Sequence, residues 1–187
     1  YSEDRLNKYI EELQKTINEI NTSHDYNLIF IPLYMAVIKK GITRSPEDIK
    51  GIEKLVDESF LKHEKNKLSF KSKKQFYYIL YLYYFAKEDF ENSYKYIKKI
   101  IEHIEKHSLQ MENNTDIYIS ALNNYIIHLD LLKKWADIPE NIQKLRDIPV
   151  KTKNEEVKTT FAFMHELHLF LVTGKFEEGL STIPQIE

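Results

Sequence analysis

The sequence GKFEEGL at residues 174–180 follows a long apolar stretch and places an aromatic residue three positions before a small one. The sequences EDFENSY at residues 88–94 and KKWADIP at residues 133–139 place an aromatic residue three positions before a small or apolar one in the same way. The aromatic residues of the three sequences are 45 and 41 positions apart: Phe90, Trp135 and Phe176. Because such spacings are typical of helical-repeat arrays, the chain from about residue 68 onward is predicted to repeat a helix-turn-helix unit.

These three turns resemble the tetratricopeptide repeat, in which a Gly-x-Tyr/Phe-x-x-Ala-hydrophobic signature joins helix A to helix B. GKFEEGL matches the signature most fully, whereas Glu88 and Ser93 replace the glycine and the alanine in the first copy. Glu166 stands where the family has a large apolar residue, and both spacings exceed the family's usual length. The resemblance implies an all-α fold: a right-handed α-α superhelix of antiparallel helix pairs, with degenerate and elongated repeats.

The repeat register also predicts which residues pack inside the array. On the three A helices, the family's packing positions fall on Tyr77, Leu80, Tyr81 and Tyr84, then Leu122, Tyr125, Ile126 and Leu129, then Phe163, Leu167 and Phe170. The whole chain, 1–187, is interpreted as a single tetratricopeptide-like domain with an N-terminal helix at 3–20 and helix pairs at about 25–62, 68–107, 114–147 and 153–187. We expect it to be a fragment of a longer repeat protein in which more repeats follow.

The helical boundaries before residue 68 come from local signals. Apolar residues recur at steps of three and four from Leu6 to Ile20, which predicts the helix at 3–20. A second apolar stretch, Tyr26 to Ile38, contains Pro32, which is expected to kink that helix or to mark its start. Ser45 and Pro46 then form a helix-start signal, with acidic residues in the first turn, for a helix at 46–62.

Composition excludes several classes of function. Lys and Arg number 27 and Asp and Glu number 29, so the net charge of −2 argues against a nucleic-acid-binding surface on this segment. The absence of cysteine excludes disulfides, thiolate metal ligands and a cysteine nucleophile. The apolar run at 76–86 is far shorter than the roughly 20 residues of a membrane span. We expect a cytoplasmic protein, although these features leave the compartment open.

Two histidine pairs are the only patterns that suggest metal chemistry. His165 and His168 are three residues apart, whereas the zinc-protease helix needs histidines four apart. His103 and His107 do have that spacing, but surface histidines near a helix C-terminus are far commoner than metal ligands. With no phosphate loop, nucleophile elbow or supported carboxylate pair, the chain is predicted to be neither an enzyme nor a binder of a metal or cofactor.

The resemblance implies a concave groove lined by the A helices, at 68–86, 114–132 and 153–172. By analogy with the family, the groove residues are Gln75, Tyr78, Phe85, Asn123, Asp130, Met164 and His168. The Lys and Arg that capture a peptide carboxylate in some family members are missing here, so that specificity is not expected. An alternative remains open, in which all the aromatic residues at 76–85 pack between adjacent helices.

These features favour a non-catalytic scaffold whose partner is a protein or peptide. A second hypothesis is the peptide-sensing domain of a bacterial transcriptional regulator whose DNA-binding part lies outside this chain. The sequence leaves the partner's identity and the oligomeric state undetermined.

Overall fold

The computed structural model describes residues 3–40, 45–56, 60, 68–107, 115–149, 152 and 156–182. Within these ranges every regular element is helical and no strand occurs. Eight α-helices are described, with a 3-10 turn at Trp135–Asp137: α1 (Glu3–Lys40), α2 (Pro46–Leu55), α3 (Phe70–Ala86), α4 (Phe90–Glu105), α5 (Thr115–Leu131), α6 (Ile138–Asp147), α7 (Val157–Thr173) and α8 (Phe176–Thr182). The all-α class predicted from the sequence is confirmed.

The chain divides into two compact units, and the interpretation of 1–187 as a single repeat domain stays a prediction. Unit 1 is Tyr1–Tyr96 and unit 2 is Ile97–Glu187, so the boundary falls within α4. In unit 1, α3 packs on α1 and α2, whereas in unit 2, α7 packs on α6 and α8. The main helix packing of each unit therefore lies within that unit.

The first helix differs from the prediction of separate helices at 3–20 and 26–38. α1 runs without a break from Glu3 to Lys40, with Pro32 inside it. Proline removes one backbone hydrogen bond, but Tyr26 and Leu33 of this segment are buried against the core of unit 1. Packing on both sides of the proline holds the segment helical, so Pro32 neither starts nor ends a helix.

α2 begins as its sequence predicts. The Ser45 hydroxyl accepts a hydrogen bond from the backbone N–H of Asp48, and the Asp48 carboxylate accepts one from the backbone N–H of Ser45. Pro46 occupies the first turn, where its missing N–H costs nothing. The helix ends at Leu55, before the predicted end at 62, and most of the segment between lies outside the described residues.

The core of unit 1 is built on an aromatic cluster. The ring of Phe60 lies 5.5 Å from that of Tyr26 and 5.0 Å from that of Phe76, between centroids. Phe76 is fully buried on α3, and Leu33 of α1 is equally inaccessible. Aromatic pairs at these separations contribute beyond their buried area, so the cluster fixes α1 against α3.

The three turns aligned from the sequence share one backbone geometry. Glu88, Lys133 and Gly174 all adopt positive φ angles, of 59°, 57° and 74°. The residue after each one donates its backbone N–H to the carbonyl five positions earlier, at 3.0, 2.7 and 2.8 Å. This is the left-handed helix end that glycine favours, and it occurs here even where the sequence has Glu or Lys.

The helices that follow these turns also begin alike. The third residue after each aromatic is buried: Ser93, Ile138 and Gly179. The Ser93 hydroxyl donates to the carbonyl of Tyr81 at 3.1 Å, which satisfies a polar group in the alanine position. A Cβ atom added to Gly179 would lie 3.2 Å from the Cβ of Phe170, so α7 and α8 approach closely there.

The predicted packing positions on the A helices are buried to different degrees. The buried ones are Leu80, Tyr81, Leu122, Ile126 and Leu129. The half-buried ones are Tyr77, Tyr84, Tyr125, Phe163, Leu167 and Phe170. α3 additionally buries Phe76, Ile79, Leu82 and Tyr83, so it is covered on more sides than a single helical stripe requires.

A buried lysine closes the end of α6. The Lys158 ammonium, on the first turn of α7, donates to the backbone carbonyls of Arg146, at 2.6 Å, and of Ile148. Carbonyls at a helix C-terminus have no partner within the helix and carry partial negative charge, which a cation complements. Lys158 therefore joins the end of α6 to the start of α7.

Candidate functional site

A polar cluster joins α5, α7 and the turn after α5 within unit 2. The Nε2 atom of His168 lies 2.9 Å from Oδ2 of Asp130, and the indole N–H of Trp135 donates to Oδ1 of the same carboxylate at 3.0 Å. Asp130 is thus held by two partners in a fixed orientation. We call Asp130, His168, Trp135, Asn123 and His165 the α5–α7 cluster.

The second pair of the cluster, His165 and Asn123, is more buried than His168. His165 Nε2 is 2.9 Å from Oδ1 of Asn123. Burial, with a smaller contribution from His168, lowers the pKa of His165 to about 4, against an opposing effect of Asp130. His165 is consequently neutral near pH 7, which suits a hydrogen-bonding role better than a charged one.

Apolar side chains flank this cluster on the exposed side of α7. Met164 and Leu171 are each 61% exposed, and His168 is also exposed between them. The spacing of three and four residues places all three on one face of the helix. The surface therefore combines two apolar side chains with a histidine held by Asp130.

The structure brings together four of the seven predicted groove residues. Asn123 and Asp130 of α5 contact the histidines of α7, and Met164 lies on the same exposed side of α7 as His168.

The other three predicted groove residues lie on α3 in unit 1. The Gln75 amide donates to Oδ1 of Asn27 at 2.5 Å. The rings of Tyr78 and Phe85 lie 6.2 and 6.1 Å from that of Tyr81, and both side chains are half-buried. Side chains this covered present less contact area than the exposed row of α7.

Three residues of this surface were missed from the sequence: Trp135, His165 and Leu171. Trp135 is predicted only as the aromatic of a turn, and His165 only as half of an unconvincing metal pair. Leu171 follows Met164 by seven positions, and this helical spacing is the signal that could have found it.

Glu166, which departs from the family pattern, has a structural explanation. Its carboxylate accepts two hydrogen bonds from the Arg146 guanidinium, at 3.2 and 2.7 Å. Arg146 also lies over the ring of Phe163, 5.8 Å from its centroid. A cleft of about 470 Å³ opens beside this ion pair, with Trp135 and Phe170 among its lining residues. The charged residue thus replaces apolar packing with a paired contact between α6 and α7.

The described residues contain no group of three or more histidine or acidic side chains placed to hold a metal ion. The rings of His103 and His107 are 4.9 Å apart, and His107 Nδ1 lies 2.8 Å from the carbonyl of His103. None of the helices in the described part of the chain has the length and apolar character that crossing a membrane requires.

Comparison with protein-family models, curated proteins and solved structures yields no match to this chain.

Proposed function

We propose that this chain is a non-catalytic module that binds a short segment of another protein on the exposed surface of α5 and α7. The observation that supports this most is the row formed by Met164, His168 and Leu171. Large apolar side chains more than half exposed are common singly, but here two flank a histidine anchored by Asp130.

The cluster supports binding because its polar groups are already oriented. Asp130 is fixed by His168 and Trp135, and Asn123 by His165, so a partner need not order these side chains. Preorganised side chains reduce the entropic cost of association. Each histidine already has a hydrogen-bonded side-chain partner, Asn123 for His165 and Asp130 for His168, and this supports a role in recognition.

We further propose that the repeats form a tetratricopeptide-like right-handed superhelix, with α3, α5 and α7 as its A helices. Support comes from the shared left-handed turns at Glu88, Lys133 and Gly174. Identical turns impose similar helix-to-helix angles, and repetition of one angle along a chain generates a superhelix. In such an array the α5–α7 surface is part of the concave face.

Selection of a display library of short linear peptides against the chain tests the proposed function. Trp135 is the only tryptophan, so its fluorescence reports directly on peptides that bind beside the cluster. The substitution Leu171→Asp is expected to lower the affinity for the recovered peptides by at least about tenfold, as the loss of a central apolar contact does in other interfaces.

Leu180→Asp provides a matched control. Leu180 is 60% exposed on α8, against 61% for Leu171, and the chemical change is identical. Peptide affinity is expected to be unchanged in this variant. Failure to recover any peptide, or equal effects of the two substitutions, would contradict the proposal.

A further inference from the structure

The N-terminal helix α1 has an apolar face that is exposed in the described structure. Isoleucine recurs at intervals of seven residues, at Ile10, Ile17, Ile31 and Ile38, with His24 at the remaining position. The four isoleucines are between 42% and 57% exposed, and His24 is exposed as well. Apolar residues that recur strictly every seven residues are typical of the a position in the heptad repeat, a to g, of a coiled coil.

In the same register, the d positions lie beside the a positions, and together they form a stripe that we call the seam. Leu13 and Ile20 occupy d in the first two heptads and are exposed, as is Tyr34 further along. Asn27, the other d residue, accepts the hydrogen bond of Gln75. The first heptad has isoleucine at a and leucine at d, a combination that favours two parallel strands, whereas Ile17 and Ile20 of the second heptad taken alone favour more strands.

The opposite face of α1 already has its partners. Tyr26 and Leu33, both at the c position, are buried in the core of unit 1. Further toward the N-terminus, a polar cleft of about 750 Å³ separates the side of α1 that carries Lys15 and Asn18 from the start of α3. The a and d side chains other than Asn27 are therefore exposed, while the opposite side of the helix packs on the core of unit 1.

The first half of α1 has little else to stabilise it. From residue 7 to residue 18 every side chain is exposed. Helices gain most of their stability from burial of an amphipathic face, and isolated helices of this length are marginal in water. A partner on the Ile10–Ile20 seam would supply the missing burial.

From these observations we infer that α1 pairs in parallel with α1 of a second copy of this chain, in a two-stranded coiled coil along the isoleucine seam. This interface lies on a different helix from the α5–α7 cluster and does not depend on the proposed function.

The residues beside the seam suit an identical partner. The e and g positions of the first two complete heptads are uncharged: Gln14, Thr16, Asn21 and Ser23. The charged residues of this stretch lie at b, c and f, away from a partner helix: Glu11, Glu12, Lys15 and Glu19. Two identical copies consequently meet without like charges opposite each other.

The available area is also sufficient. Ten large apolar side chains of α1 are exposed: Tyr9, Ile10, Leu13, Ile17, Ile20, Leu28, Ile31, Tyr34, Met35 and Ile38. At about half exposure each, they offer at most roughly 800 Å² per copy, because most are aliphatic and smaller than the aromatic side chains that bury roughly 150–250 Å². A pair would then bury at most roughly 1,600 Å², the size of a standard specific interface.

A membrane surface fits this helix less well. Helices that lie on anionic lipid carry a polar face rich in Lys and Arg. Here the polar face between residues 11 and 19 has three glutamates and one lysine. A monomer that binds anionic phospholipid vesicles would therefore contradict pairing of α1 with a second copy.

Sedimentation equilibrium of the full chain tests the pairing. The wild type is expected to sediment at twice the 22.4 kDa mass of one chain, and Ile17→Asp to raise the dissociation constant by at least about tenfold. Asn18→Asp is the matched control, since Asn18 is exposed on the same helix but at the b position. Circular dichroism checks that both variants remain folded, and some loss of helix from α1 is expected for Ile17→Asp.

Cysteine substitution tests the parallel register, because the chain has no cysteine of its own. Leu13→Cys at d is expected to form a disulfide-linked dimer under mild oxidation, whereas Glu12→Cys at c is not. A monomeric wild type, a higher oligomer, equal effects of Ile17→Asp and Asn18→Asp, or no link through Leu13→Cys would each overturn the inference. So would a monomer that co-sediments with anionic phospholipid vesicles.

Discussion

His168 of α7 and Asp130 of α5 lie 2.9 Å apart, 38 positions distant in the chain. The same carboxylate accepts the indole N–H of Trp135, so one acidic side chain connects two helices and a turn. Asp130 therefore fixes the positions of both His168 and Trp135 in the proposed binding surface.

Asp130→Ala is expected to lower the free energy of unfolding by about 1–2 kcal/mol, because two donors lose a charged acceptor in a half-buried site. Asp130→Asn, which keeps an oxygen for Trp135, is expected to cost less. Urea unfolding followed by the fluorescence of the single tryptophan measures both. Glu140→Ala, which breaks only the exposed pair with Lys144, is the control and should change stability by less than about 0.5 kcal/mol.

Glycine at the two non-glycine left-handed turns is expected to stabilise the chain. Glu88 and Lys133 adopt φ angles near 58° that cost an L-residue about 1–2 kcal/mol. Glycine removes this strain but adds freedom to the unfolded chain, so Glu88→Gly and Lys133→Gly should each raise the unfolding free energy by about 0.5–1 kcal/mol. Thermal or urea unfolding that shows a loss in both variants would contradict the shared turn geometry.

The glycines of the chain offer the converse comparison. Gly174→Ala is expected to destabilise by about 1 kcal/mol, since Gly174 has a φ of 74°. Gly51→Ala should instead stabilise by about 0.5–1 kcal/mol, because Gly51 lies inside α2 with open space around it. Opposite signs from the same substitution, measured by urea unfolding, separate backbone conformation from side-chain contact.

Stability is expected to fall between pH 6.5 and pH 4 through His165. Its pKa in the folded chain is about 4, below the 6.5 of an unperturbed histidine, so the unfolded chain binds more protons in this interval. The stabilising contribution is present above pH 6.5 and is lost as the pH falls, by on the order of 2 kcal/mol for a partly exposed group.

His165→Gln isolates this contribution, since glutamine does not titrate. Urea unfolding of wild type and variant across this interval should give curves that converge as the pH falls. Burial also lowers the pKa of His128, but that effect is common to both proteins. Parallel curves would show that His165 is not held neutral by the fold.

Lys158→Met is expected to lower the unfolding free energy by about 1–3 kcal/mol. The substitution keeps the aliphatic stem but leaves the carbonyls of Arg146 and Ile148 at the end of α6 without their donor. Lys175→Met, at an exposed lysine paired with Glu178, should have almost no effect in the same measurement.

Local signals in the sequence predicted the helices well because the forces that set them are local. The Ser45 capping box and the three turns involve atoms within a few residues, so local patterns locate them, although only Gly174 has the residue type that the left-handed conformation favours. The predicted break at Pro32 was wrong, because the effect of a proline on a helix depends on the packing around it. Tyr26 and Leu33 are buried against other elements, and no local pattern gives the strength of those contacts.

The candidate site was also predicted only in part from the sequence. By analogy with the tetratricopeptide repeat, the register predicted groove positions for Asn123, Asp130, Met164 and His168. It could not show that Asp130 also binds Trp135, because that depends on the path of the turn between α5 and α6.

The sequence by itself determined an all-α chain and the positions of its three repeated turns, since helix periodicity and turn conformation arise from neighbouring residues. Only the tertiary structure decided which side chains meet across helices: Asn123 with His165, Asp130 with His168, and Arg146 with Glu166. Those pairs are 20 to 42 positions apart, and their contact depends on how helices pack. The isoleucine seam of α1 depends on both levels, because the sequence sets its seven-residue spacing and the tertiary structure leaves it exposed.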